Sequence, residues 1–275
     1  MTPLFDWMRN RSREAWDPTQ VNKEPVGIIA LDVPMAIDPG VIEPALQDRS
    51  VGLPTPVSVR PSETEPAGNF DISVGFFEAS AVFVDAPVPW HELDRACDAA
   101  WWWPDAGEKM RSHSAYAVVK MKAGRGDVLS KTLVLTKLVA AIAESVEGLG
   151  IYWRTGWVVQ STRDFVELSK TTSPETPPLN LWVLFDYHRV SETHWQAYTI
   201  GMESLDCLEI EIAPVPLEPD DLLDLAYWVA SEALVGDDTI ESGDWFEGPA
   251  GKRLLVSFAN SIWARPGTVM RLELE

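Results

Sequence analysis

The sequence predicts an α+β protein of mixed and antiparallel sheets with helices packed on one face. Short β-type runs such as Val26 to Val33 and Leu208 to Ile212 alternate with helical patterns at irregular intervals. Leu129 to Val146 is the strongest helix in the chain. The first elements also fall in the order β-α-β-β-α-β of a ferredoxin-like split βαβ module, and the second half repeats a similar order without a sequence repeat. Two ferredoxin-like halves are the resulting expectation.

Residues 1–25 carry Arg9, Arg11, Arg13 and Lys23 and read as a basic N-terminal arm. An α+β module over 26–125 follows. The apolar run Val26 to Val33, bounded by Pro25 and Pro34, is a buried strand, and Asp38-Pro39 starts a helix ending near Gln47. Residues 50–69, rich in Pro, Ser, Thr and Glu, suit an exposed loop. Ile72 to Phe77 and Ala81 to Val84 form a hairpin across Glu78-Ala79-Ser80. A helix from Pro89 keeps Leu93, Ala96, Cys97 and Ala100 on one face up to Trp101-Trp102-Trp103-Pro104, and Ser114 to Met121 is the next strand.

A second module is expected over 126–275. The helix from Leu129 to Val146 aligns Leu135, Leu138, Val139, Ile142 and Val146, and Gly148 and Gly150 end it. Ile151 to Val159 is extended and Asp164 to Leu168 helical, before a surface connection at Thr172 to Pro178. Leu181 to Tyr187, Trp195 to Met202 and Leu208 to Ile212 read as strands, Leu222 to Leu234 as a helix, and Arg253 to Phe258 as a strand.

Charge bounds function most strongly: 42 acidic residues against 22 basic ones give −20, which opposes the counterion release that drives binding to nucleic acid and repels anionic lipid. The imbalance is also local, because no Lys or Arg occurs between Arg189 and Lys252 while Glu218, Asp220, Asp221, Asp224 and many other acids do. A basic protein or a divalent cation is the partner such a segment suits. The first residues lack the apolar core of a secretory signal and no apolar run reaches membrane-spanning length, so a cytoplasmic protein is expected. Two isolated cysteines, Cys97 and Cys207, make no disulfide framework or thiolate metal site. No cofactor is expected, since nucleotide, dinucleotide and nucleophile-elbow motifs are missing.

Within the acidic segment, Tyr198-Thr199-Ile200-Gly201-Met202, Glu209-Ile210-Glu211-Ile212, the amphipathic stretch Leu217 to Val235, and Gly236-Asp237-Asp238-Thr239-Ile240 follow one another. This order resembles the bacterial domain-of-unknown-function 4261 family, with an extra Asp in the final turn. The resemblance covers about residues 70–272, with its core at 195–272, and implies a fold but no established activity.

Spacing in that core places Glu209 and Glu211 on one face of a strand, where an exposed polar face or a shared proton or metal is the alternative reading. Glu203, Asp237, Asp238 and Thr239 would complete an oxygen-rich site if the turn folded back. His113, before a strand, suits a structural hydrogen bond or a base, and Trp245 and at least one of Trp101 to Trp103 suit a surface anchor. The leading expectation is a non-catalytic, immunity-type interaction module with an acidic face. The alternative is a divalent-metal-dependent hydrolase using Glu203, Glu209, Glu211, Asp237 and Asp238.

Overall fold

A computed structural model of the chain describes residues 24–34, 39–48, 56–62, 69–236, 238–247, 251, 253–263 and 267–275. The basic arm, apart from its last two residues, and Asp237 lie outside them. The described residues form an α+β fold with two sheets, one antiparallel and one mixed.

The first sheet takes seven strands in the order β2-β3-β4-β5-β1-β6-β7. These are β1 (Val26–Leu31), β2 (Val57–Pro61), β3 (Phe70–Val74), β4 (Phe77–Val84), β5 (Ala115–Gly124), β6 (Gly150–Trp153) and β7 (Val158–Ser161). Strands on both sides of residue 125 share it, so β1 lies between β5 and β6. This departs from the split βαβ order. There β1 would pair with the hairpin, but here β5 takes the place beside β4. The hairpin turns at Gly75-Phe76, starting three residues before the expected Glu78-Ala79-Ser80 connection, because Gly75 supplies a positive φ of 58°. A strand, β2, also occupies part of the expected loop, since Val57 and Val59 face the core and alternate with Ser58 and Arg60.

Helices cover both faces of this sheet, not one. β1 buries all six residues because Ile29 and Leu31 share one core with α1 (Pro39–Asp48), α4 (Val128–Ser145) and α5 (Thr162–Lys170), while Val26, Ile28 and Ala30 share another with α2 (Trp90–Ala99) and α3 (Ala106–Arg111). The long helix α4 is fixed at its start by the Asp127 carboxylate, which accepts from the Ser130 N–H at 2.7 Å. Ser161 caps α5 in the same way, accepting from the Asp164 N–H at 3.1 Å.

The second sheet has the order β11-β12-β13-β10-β9-β8 and one parallel pair, β10 with β13. Its strands are β8 (Leu184–Arg189), β9 (Trp195–Ile200), β10 (Ile210–Val215), β11 (Trp245–Glu247), β12 (Arg253–Asn260) and β13 (Thr268–Leu274). One face packs under α7 (Pro219–Val235), which contributes Leu222, Leu225, Ala226, Val229 and Ala230 to the larger core. The strand expected from Leu181 begins only at Leu184, because Leu179–Trp182 forms a short helix, α6.

The halves meet at backbone contact. Gly156, in a 3-10 turn after β6, and Gly201, at φ 122° after β9, both lie against the Trp182 carbonyl; a Cβ would stand 1.8 Å and 2.6 Å from that oxygen. Only glycine fits there. The Trp182 ring, fully buried, stacks on Trp153 and donates its indole N–H to Thr136 of α4 at 2.7 Å.

Candidate functional site

The turn joining β9 to β10 is organised by one carboxylate. Glu209 accepts from the Thr199 hydroxyl at 2.6 Å, from the Gly201 N–H at 2.7 Å and from the Glu203 N–H at 3.4 Å. The Thr199 oxygen in turn accepts from the Ile210 N–H at 2.8 Å. Thr199, Gly201 and Met202 are buried beside it, and the Met202 carbonyl accepts from Cys207 N–H at 3.1 Å. These residues form a closed internal latch. The oxygens of Glu209 are already satisfied by these donors.

Glu211, two residues on, has a separate set of partners. Ser261 Oγ and the Ile262 N–H, the latter at 3.1 Å, donate to it, and Arg271 stands 3.6 Å away. The exposed shared face expected from alternation is therefore corrected: Glu209 is 9% and Glu211 1% exposed, and each is held by its own contacts. Alternation fixes parity along a strand, whereas burial depends on the segment 261–263 that folds over from elsewhere.

Around Glu211 the outer face of the sheet gathers Asp186, His188, Gln196 and Tyr198. Tyr198 donates its hydroxyl to Asp186 at 2.5 Å, and the Gln196 amide lies 2.6 Å from His188 Nε2. Burial pushes His188 down to about 4, so it is a neutral imidazole at neutral pH. The sequence offered no spacing signal for this group, because β8, β9, β10 and β13 are joined only in the folded sheet.

The remaining expected residues disperse. Glu203 is half-buried and lines an open depression of about 410 Å³ with Asp206, Cys207, Leu208, Gly267 and Thr268. Asp238 and Thr239 are exposed after α7, and Asp237 is outside the described residues. No group of three or more His, Cys, Asp or Glu side chains suited to a metal occurs among the described residues. His113 is buried, with Nε2 accepting from the Val88 N–H at 2.7 Å and Nδ1 against the Met110 carbonyl. Cys97 and Cys207 are pushed up by burial to about 12 and about 11, so both stay protonated thiols.

Two surface features match their expectation. Trp101 is 63% exposed, whereas Trp102 turns inward and donates its indole N–H to the Val159 carbonyl at 3.0 Å. Trp245 is 46% exposed, with the Arg253 guanidinium 4.6 Å from its ring centre. Along α7, Asp220, Asp221 and Asp224 are exposed on the turns leading to Tyr227, itself 39% exposed and 5.4 Å from Phe185. Glu218, Glu232, Asp238, Glu241, Asp244 and Glu247 are exposed as well. No helix among the described residues is long and apolar enough to cross a membrane.

No curated protein and no solved structure matches the chain. Residues 198–273 match the model of a family described as Domain of unknown function (DUF4261), and they contain the Glu209 latch, Glu211, α7 and the strands β10 to β13. Over that stretch, from Tyr198 to Glu273, the chain is similar to that family.

Proposed function

We propose that the chain is a non-catalytic interaction module of the bacterial cytosol that binds a basic protein through the exposed face of α7 and the turn after it. One observation supports this reading above the rest: Glu218, Asp220, Asp221, Asp224 and Glu232 lie exposed on or beside one helix, in a segment with no Lys or Arg from 190 to 251. Like charges held together cost free energy that a cationic partner would relieve. Tyr227 adds an aromatic anchor beside them, the kind of residue that carries binding energy once desolvated. An immunity-type inhibitory partner is one form this takes. The same net charge of −20 argues against nucleic acid or anionic membrane as the target.

The test is affinity capture from native cytosol followed by binding kinetics with the captured protein. The wild-type chain is expected to retain a partner whose association slows as salt rises. D220N/D221N/D224N should slow association by about 10-fold or more with a smaller change in dissociation. Tyr227→Ala should do the reverse. Association indifferent to both salt and the triple substitution would overturn the acidic face.

A further inference from the structure

We propose that Ser261–Trp263 is a releasable strap that closes over the polar outer face of β8, β9, β10 and β13. The strap is tied down at few points. Glu211 accepts from Ser261 Oγ and from the Ile262 N–H, and Ser261 Oγ also accepts from the Trp263 N–H at 3.0 Å. Just upstream, the Asn260 carbonyl accepts from Arg271 Nη2 at 2.5 Å. The Trp263 ring rests edge-on to His188, with centroids 4.2 Å apart, and tilted against Tyr198 at 4.9 Å. Ile262, between them, is 49% exposed and packs little.

Closure leaves hydrogen-bonding capacity unused. Trp263 Nε1 and Arg271 Nε are both buried without a partner. Two unpaired donors under one short segment make the closed state costly, and water would pair both as soon as the segment lifts. The Glu209 latch, in the turn just before β10, shows the opposite pattern, with Thr199, Gly201 and Glu203 donors converging on one carboxylate. A cover that merely completed a core would bury apolar groups; this one buries the Glu211–Arg271 pair and sits on Tyr198 and His188. Lifting it presents two carboxylates, Asp186 and Glu211, with an imidazole, a phenol and a guanidinium on one sheet face.

Native-state hydrogen exchange on the full chain tests the strap directly. The Ile262 amide, donated to Glu211, is expected to exchange about 100-fold faster than the amides of Ile212 and Leu272, at a rate that low urea leaves unchanged, because opening is local. Glu211→Gln should raise Ile262 and Trp263 exchange by about a further 10-fold while Ile212 and Leu272 keep their protection. If that variant does not fold, Ser261→Ala removes one donor to the carboxylate and the acceptor of the Trp263 N–H, leaves the carboxylate in place, and carries the comparison at the Ile262 amide. Ile262 exchanging with the rate and urea dependence of Ile212 in the wild-type chain overturns the strap, since the segment then opens only with the whole sheet. Loss of protection spread evenly over β9, β10 and β13 in Ser261→Ala overturns it too.

Discussion

In the seven-stranded sheet, β1 buries six residues against helices on both faces, whereas in the six-stranded sheet β10 buries Ile210 and Ile212 on one face and the carboxylate of Glu211 on the other. The first sheet is specified by apolar volume. The second is specified partly by polar groups that must find named partners. A one-residue slip of β10 would turn Glu211 into the apolar core, so the costly buried charge also fixes register. Volume confers stability, and paired polar groups confer uniqueness.

The sharpest way to break the comparison is at the joint where the sheets meet. Gly156→Ala forces a Cβ to within 1.8 Å of the Trp182 carbonyl, a backbone atom that cannot rotate away. A loss of about 3 kcal/mol or more, or failure to fold, is expected in urea unfolding monitored by tryptophan fluorescence. Both sheets should lose structure together. Next, Glu209→Ala removes the acceptor for Thr199 and Gly201 in a buried site and should cost about 2–4 kcal/mol by the same assay. Its counterpart in the first sheet is the exposed Asp71–Lys122 pair at 2.5 Å, where Asp71→Ala should cost under about 1 kcal/mol. Equal losses would erase the distinction between the sheets.

A smaller effect follows from His188. Burial holds its folded pKa at about 4, below the value near 6.5 of an unfolded chain, so the unfolded state binds the proton first. Its contribution to stability is therefore complete above about pH 6.5 and is lost as pH falls toward 4, by about 1–3 kcal/mol once partial solvation is allowed for. His188→Gln should flatten that part of the stability profile relative to wild type. The smallest change is expected for D220N/D221N/D224N. Asp220 and Asp221 sit in the first turn of α7, where carboxylates favour the helix dipole, while mutual repulsion opposes them. Thermal unfolding should shift by no more than about 1 kcal/mol.

Elements with an unbroken local signal were legible. The helix expected from Leu129 to Val146 occurs at Val128–Ser145, and the strand from Val26 is there because its apolar run needs no distant partner to be recognised. β13 was missed although Val269, Met270 and Leu272 are buried, because Thr268, Arg271 and Glu273 blur the alternation and its parallel neighbour, β10, lies far back in the chain. β11, three residues long, carries too little pattern to register. Within the site, the sequence marked Glu209 and Glu211 but could not assign their partners. Asp186, His188 and Arg271 gave no local sign, since only strand pairing brings them together.

The glycine contact at Trp182 also decides what can be cut from this protein. The family match begins at residue 198, inside β9, whose neighbour β8 lies wholly upstream, as does the carbonyl on which Gly201 rests. A fragment begun there would carry a truncated strand with its bonding edge bare, an invitation to pair with another chain. The smallest piece worth expressing or grafting therefore starts before α6. A protein inheriting only the matched stretch would have to bring its own strand to close the sheet and its own platform for the turn.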